Sequence, residues 1–142
     1  MNNENRQFGV GDCSYQAAGE IEGLIKLVDA FYHYMDTLPE AKHIRDMHSE
    51  DLTITKKKLA YFLSGWMGGP KLYAENFKAM PIPVSHKHLP IGKSEGEAWL
   101  LCMKKAADDQ PYTPEFKEYL LTQLRVPTER IQEVCQEALK RQ

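Results

Sequence analysis

The chain of 142 residues has the size of one domain, and its 42% hydrophobic residues are enough to build a buried core. Its 18 basic and 20 acidic side chains leave a net charge of -2, which argues against a general nucleic-acid binder. Apolar runs stay well below the ~18 residues of a membrane-spanning helix, and the polar N-terminus has no hydrophobic signal core. We therefore expect a cytoplasmic protein that does not associate with a membrane.

The three cysteines are far apart in the sequence and form no CxxC pair. This pattern favours reduced thiols over a zinc ribbon or a thioredoxin-type site. Cys102 and Cys135 are expected to pack as small core residues.

Residues 1–13 are predicted to be a flexible lead, and 14–142 a single domain. A helix is predicted from Ser14 to Met35, with a bend near Gly19, and a short turn over 39–46 is expected to follow. The apolar positions of that helix recur in steps of three and four, which is typical of one buried face. They are Ile21, Leu24, Ile25, Val28, Phe31, Tyr32 and Met35.

A second helix is predicted over 53–66, because the sequence Gly-Gly-Pro follows it and stops helices. Residues 70–78 leave room for two turns at most, and the prolines at 81, 83 and 90 prevent one regular helix there. With no strand-like alternation longer than a few residues, the pattern predicts an all-α fold.

Two further helices complete the predicted fold. Ser94 and Glu97 have the spacing of a capping box, which predicts a helix over 94–107. Thr113 and Pro114 are typical of a helix start, and the last helix is expected to reach about Arg141. Pro127 should break or kink it.

The five histidines offer two interpretations from the residues alone. His86 and His88 lie in the proline-rich segment without an HExxH motif, so solvated loop histidines are one interpretation. The other is that one of them is the single ligand that a haem iron needs. A large apolar prosthetic group would fill the space between four amphipathic helices.

Four features recur in a fixed order along the chain: Phe-Tyr at 31–32, WMGGPKLY at 66–73, the histidine at 86, and PIG with EAWLLCM between 90 and 103. In this ordered set the sequence resembles the group II truncated haemoglobins. The resemblance implies a two-over-two helical sandwich around haem b. It also implies His86 as the iron ligand, from its spacing to Trp99, with His88 before Leu-Pro as the competing position.

The same resemblance assigns the other site residues. Tyr32 and Trp99 match the side chains that face the gas ligand, while His48 stands where the family usually has phenylalanine or tyrosine. Either Tyr32 or His48 could become a sixth ligand of the ferric iron. The residues implied to contact haem are Thr55, Leu59, Phe62 and Leu63 on its distal side, with Tyr73 and Lys87 near its propionates. The run Lys56–Lys58 is expected to be a solvated helix face.

The resemblance implies reversible binding of dioxygen, nitric oxide and carbon monoxide at a five-coordinate ferrous iron. Two donors toward bound dioxygen favour slow release, which suits nitric oxide dioxygenation or peroxidase-type detoxification. Such an enzyme needs a separate reductase or electron donor, because the chain has no GxGxxG fingerprint. A non-catalytic oxygen carrier or gas sensor is the alternative.

Overall fold

A computed structural model describes residues 8–48, 50–76 and 91–140, with the side chains of the last segment up to Glu137. All secondary structure in this part of the chain is helical. It comprises α1 (Cys13–Ala17), α2 (Glu20–Thr37), a 3₁₀ helix (Pro39–Ala41), α3 (Lys42–Asp46), α4 (Thr53–Trp66), α5 (Leu72–Asn76), α6 (Lys93–Asp108) and α7 (Pro114–Lys140). Among these helices, none is long and apolar enough to cross a membrane. The predicted all-α fold is confirmed.

Two helix pairs form the body of the domain: α2 with α4, and α6 with α7. Helix α2 packs against both α4 and α6, and α6 packs in turn against α7. Each pair buries an apolar stripe, since amphipathic helices are stable only when these stripes are covered. The largest fully buried side chains come from all four helices and include Leu24, Phe31, Leu63, Met103, Phe116 and Leu120.

The buried face of α2 differs from the predicted face at Ile25 and Leu27. Leu24, Val28, Phe31, Tyr32 and Met35 are buried as predicted, whereas Ile25 is 47% exposed. The buried positions also include Leu27, so the steps 24, 27, 28 and 31 define the face. Ile25 lies about 100° around the helix from Leu24 and therefore faces solvent.

The N-terminal segment is packed from residue 8 onward. The ring of Phe8 lies 5.3 Å from that of Phe116 and 5.1 Å from that of Tyr119, measured between centroids. The backbone N–H of Gly9 donates to Ser14 Oγ at 2.9 Å. The predicted flexible lead over 1–13 therefore differs from the structure over residues 8–13, because an aromatic side chain docks there on α7. Residues 1–7 lie outside the described residues.

The start of α6 corrects the predicted capping box. Glu95 Oε1, not Glu97, accepts the N–H of the residue before the helix, Gly92, at 2.8 Å. The carboxylate of Glu97 instead pairs with Arg125 on α7 at 2.7 Å. Since the helix begins at Lys93, the glutamate at its third position is the one within reach of the unpaired N–H group.

Helix α7 begins as predicted and does not break where predicted. The N–H of Phe116 donates to Thr113 Oγ1 at 3.2 Å, which confirms Thr113 as the cap. Pro127 lies inside one helical element that continues to Lys140. The two cysteines expected in the core, Cys102 and Cys135, are fully buried. Burial raises the pKa of the Cys102 thiol to about 11, so this thiol is unreactive at neutral pH.

Candidate functional site

A cavity of about 410 Å³ lies between the two helix pairs. Its walls come from α2, α3, α4, α5, α6 and α7, so it occupies the centre of the domain. Most of the side chains that the sequence predicts for the site line this cavity. They are Tyr32, His48, Thr55, Leu59, Phe62, Leu63, Tyr73 and Trp99.

The aromatic residues of this site meet around Phe31. Its fully buried ring lies 4.8 Å from Tyr32 and 4.9 Å from Trp99 between ring centroids. The ring of His48 meets Tyr32 edge-on at 5.7 Å. Helix α2 thus holds the phenol, α6 holds the indole, and the segment after α3 holds the imidazole. The three polar side chains converge on one region of the cavity wall.

Two of these side chains are permanent hydrogen-bond donors. Burial raises the pKa of the Tyr32 phenol far above its ordinary value, an effect that the positive charge of Arg45 only partly opposes. The hydroxyl therefore keeps its proton at every physiological pH. The indole N–H of Trp99 donates and has no acceptor capacity. This wall thus provides two hydrogen-bond donors for a ligand that carries negative charge.

The half-buried His48 is oriented by the backbone of α3. Its Nδ1 lies 2.8 Å from the carbonyl oxygen of Ile44. A carbonyl only accepts, so Nδ1 carries the proton and Nε2 of the neutral ring carries a lone pair. The sequence leaves His48 as either a donor in the pocket or a solvated residue. The structure places it on the cavity wall, where only the protonated ring can donate from Nε2.

Helix α4 provides an apolar wall with a charged rim. Leu59, Phe62 and Leu63 line the cavity at helical spacing, and the ring of Phe62 lies 6.3 Å from that of Tyr73 on α5. Lys58 is exposed, as the sequence predicts, and it also lines the cavity. A flat apolar group with acidic substituents fits this wall, because its ring would contact the apolar side chains and its acids would reach the ammonium group.

The opposite wall belongs to α7 and was missed by the sequence analysis. It consists of Leu124, Pro127, Thr128 and Ile131. Their steps of three and four continue those of Leu120, so the periodicity of this helix was the signal that could have found them. The hydroxyl of Thr128 donates to the carbonyl of Leu124 at 2.7 Å, and α7 therefore directs its polar atom to its own backbone.

Helices α6 and α7 meet at Gly96, beside the cavity. A Cβ atom at this position would lie 1.9 Å from Gln132 Nε2 and 3.2 Å from Thr128 Cγ2. Both distances are shorter than van der Waals contact, so a larger residue here would have to displace the amide of Gln132, which is the end of a flexible side chain, and press on Thr128. Gly96 itself lines the cavity. Other lining residues that the sequence analysis did not identify are Ile44, Met47, Ile91 and Glu95.

The predicted iron ligand and one predicted haem contact lie outside the described residues. These are His86 and Lys87, together with the competing His88. Their assignments remain predictions. The other predicted site residues all belong to one cavity.

The two helix pairs enclose an apolar cavity that has hydrogen-bond donors, Tyr32 and Trp99, at one region and the ammonium group of Lys58 at its rim. This arrangement is that of a globin-type haem pocket. Residues 13–132 match the family described as bacterial-like globin. The group 2 truncated hemoglobin YjbI of Bacillus subtilis (strain 168) is 38% identical over 112 residues, which are 79% of this chain and 82% of that protein.

Solved structures give the same result. A group II 2-on-2 hemoglobin from Agrobacterium tumefaciens matches with a TM-score of 0.78 and 32% identity, covering 84% of this chain and 92% of that chain. A truncated oxygen-avid haemoglobin from Bacillus subtilis matches with a TM-score of 0.74 and 35% identity, covering 83% and 97%. The chain belongs to the bacterial-like globins and, within them, to the group II truncated haemoglobins.

This membership confirms the predicted two-over-two sandwich. The cofactor is haem with iron, for which haem b is the usual form, and the protein binds dioxygen and related diatomic gases. The residues that line the cavity fit this group, since an apolar slot accommodates the ring and the donors of Tyr32 and Trp99 face the same space.

Proposed function

We propose that this globin retains dioxygen through hydrogen bonds from Tyr32 and Trp99 and uses it to oxidise nitric oxide to nitrate. One observation carries the proposal: two permanent donors, the phenol of Tyr32 and the indole of Trp99, flank Phe31 on the same cavity wall. Haem supplies reversible coordination of diatomic gases when bound. The side chains of this chain decide how long each gas stays.

The donors act on the negative charge that develops on dioxygen. In a cavity with apolar walls, each hydrogen bond is stronger than in water, because few solvent dipoles compete with it. Tyr32 donates from its hydroxyl and Trp99 from Nε1. Carbon monoxide gains little charge, so the same donors hold it less well. Slow release of dioxygen favours a reaction in the pocket over delivery to another site.

The proposed reaction balances with one external electron. One nitric oxide, one dioxygen and one electron give one nitrate ion. Nitric oxide is small and uncharged, so it enters an apolar cavity at little desolvation cost. The electron comes from a separate reductase or small donor. The free thiols of the described part suit a reducing compartment, and a cytoplasmic location belongs to this proposal.

The test is sustained turnover. Purified holoprotein with a flavin reductase and reduced nicotinamide should consume nitric oxide over many cycles and form one nitrate per nitric oxide. Tyr32→Phe combined with Trp99→Phe should lower the rate at limiting dioxygen, because dioxygen leaves before nitric oxide arrives. Nitrate formation that stops after one equivalent, despite rapid reduction of the iron, would favour an oxygen carrier or gas sensor. Turnover of peroxide with a reducing substrate tests the peroxidase-type alternative directly.

A further inference from the structure

Glu95 is a carboxylate in the wall of a cavity that binds an uncharged gas. Its side chain is 15% exposed, whereas that of its partner His43 is 62% exposed. A carboxylate in such a place has lost much of its hydration, so other groups must satisfy its oxygens. The site described above gives no role to Glu95.

Three donors hold this carboxylate. Oε1 accepts the Gly92 N–H at 2.8 Å, and Oε2 lies 2.8 Å from His43 Nδ1 and 3.1 Å from the Ser94 hydroxyl. Burial alone would raise the pKa of Glu95, but the hydrogen bonds from Gly92 and His43 outweigh burial and keep the pKa below its usual range. The carboxylate is therefore ionised at neutral pH and joins the first turn of α6 to α3.

Both joined elements carry parts of the distal site. Trp99 follows Glu95 by four residues, one turn further along the same face of α6. On α3, the neighbour of His43 is Ile44, which lines the cavity and accepts the hydrogen bond from His48 Nδ1. The contact between Glu95 and His43 thus connects α6, which carries the indole of Trp99, to α3, which is followed by His48.

We propose that Glu95 and His43 form a clamp that positions the indole N–H of Trp99 toward the gas ligand. Helix α6 is fixed at its start by the clamp, so the direction of its next turn is fixed as well. This inference rests on the donor role proposed above for Trp99. Glu95 and His43 are positioning residues, because they act through Trp99 and not on the ligand itself.

The charged neighbours of the clamp on α3 and α6 have other partners. Lys42 pairs with Asp46 at 3.1 Å, and Arg45 pairs with Asp36. On α6, Glu97 pairs with Arg125 of α7 at 2.7 Å.

The experiment compares two glutamates of the same helix in the holoprotein. Glu95→Ala should speed dioxygen release by about 3- to 30-fold, the range expected for residues coupled through a shared element, and should shift the carbonyl stretching frequency. Glu97→Ala is the matched control and should change release by less than about 2-fold. His43→Ala breaks the clamp from its exposed side and should act in the same direction. Glu95→Gln keeps an acceptor for the Gly92 N–H but replaces the oxygen that His43 contacts by an NH2 group, so it should speed dioxygen release to about the same extent as His43→Ala.

The direction of the effect separates positioning from direct electrostatics. If the Glu95 charge simply repelled a negative ligand, its removal would slow dioxygen release. Slower release in Glu95→Ala, or equal changes in Glu95→Ala and Glu97→Ala, would overturn the proposal.

A double-mutant cycle with Trp99→Phe distinguishes this proposal from the proposed function. If the clamp acts through the indole, Glu95→Ala should add less than about 2-fold in the Trp99→Phe background. Full acceleration there overturns the clamp while leaving the donor role of Trp99 intact. Dioxygen release unchanged by Trp99→Phe itself overturns the donor role, and the clamp with it.

Discussion

The two walls of the haem cavity differ in where their polar atoms point. On the side of α2 and α6, the phenol of Tyr32 and the indole of Trp99 flank the buried ring of Phe31. On the side of α7, Thr128 is the polar lining side chain among the described residues, and its hydroxyl donates to the carbonyl of Leu124 at 2.7 Å. The first wall directs hydrogen-bond donors into the cavity. The second wall contributes apolar contact surface, because its hydroxyl is bonded to its own helix.

This difference separates two requirements of a haem protein. A gas ligand is retained or released according to a few directed hydrogen bonds, whereas a flat apolar cofactor is held by contact area. The α7 wall meets the second requirement with Leu124, Pro127 and Ile131. Substitutions on the two walls should therefore change different measurements.

The largest effect is expected at the iron ligand, without which neither wall has a cofactor to contact. His86→Ala should abolish stable haem binding, seen as loss of the Soret band after gel filtration, because one neutral imidazole must ligate the iron. His88→Ala is the control and should keep a wild-type spectrum. The opposite result would move the alignment by two residues and make His88 the ligand.

The next effect tests the donor wall. Tyr32→Phe and Trp99→Phe should each speed dioxygen release about 5- to 100-fold, since each removes a hydrogen bond worth ~1–3 kcal/mol to a charged acceptor. Burial holds the pKa of Tyr32 far above neutrality, so its contribution should be constant between pH 6 and pH 9. Stopped-flow release rates check both statements.

Carbon monoxide is the internal control for these two variants. Its release should change much less than that of dioxygen, because it carries little charge. Equal acceleration for both gases would mean that the smaller side chains have opened the cavity. In that case the contrast between the walls would be one of access and not of hydrogen bonding.

The sequence predicts the donor wall better than the α7 wall. Tyr32 and Trp99 belong to short motifs at fixed spacing, so resemblance places them, and the clear stop at Gly-Gly-Pro fixes the bounds of α4 at 53–66. The α7 residues depend on which face of a long helix meets α6. The periodicity of α7 marks an apolar face, but which part of that face lines the cavity depends on the packing of α7 against α6, a tertiary contact that no local pattern records.

The start of α6 illustrates the same limit. Ser94 with Glu97 and Gly92 with Glu95 both have the spacing of a capping box. Only the packed structure decides between them. Glu97 forms an ion pair with Arg125 on α7 at 2.7 Å, whereas Glu95 lies 2.8 Å from His43 on α3 and can also accept the N–H of Gly92. Local spacing predicts that a helix begins here, and long-range partners decide at which residue.

A smaller effect is expected from His48, which can join the donor wall only when protonated. Nδ1 donates to the Ile44 carbonyl at 2.8 Å, so a proton added at acid pH goes to Nε2 and creates a third donor. Dioxygen release should therefore slow as the pH falls from 8 to 5, by a few-fold, about the effect of a partly exposed hydrogen bond.

His48→Phe is the variant that isolates this dependence. It introduces the phenylalanine that the family resemblance implies at this position and should give a release rate independent of pH over that interval. A wild-type pH profile in His48→Phe would assign the titration to another group and leave His48 as a wall residue without influence on the ligand.

The smallest effect is expected on the α7 wall, where the same chemical change can be made as on the opposite side. Thr128→Val replaces a hydroxyl that already donates to Leu124 by a methyl group of similar volume. Dioxygen release should change by less than about 2-fold, and the free energy of unfolding by no more than about 1 kcal/mol, the net worth of one such hydrogen bond. Thr55→Val makes the identical change on α4, whose Thr55 lines the cavity at a position that the family resemblance implies to be distal. If polarity matters only on the distal side, Thr55→Val should change the ratio of dioxygen to carbon monoxide release more than Thr128→Val does. A larger change from Thr128→Val would mean that the α7 wall also acts on the ligand, and the division between a donor wall and a shape-complementary wall would no longer hold.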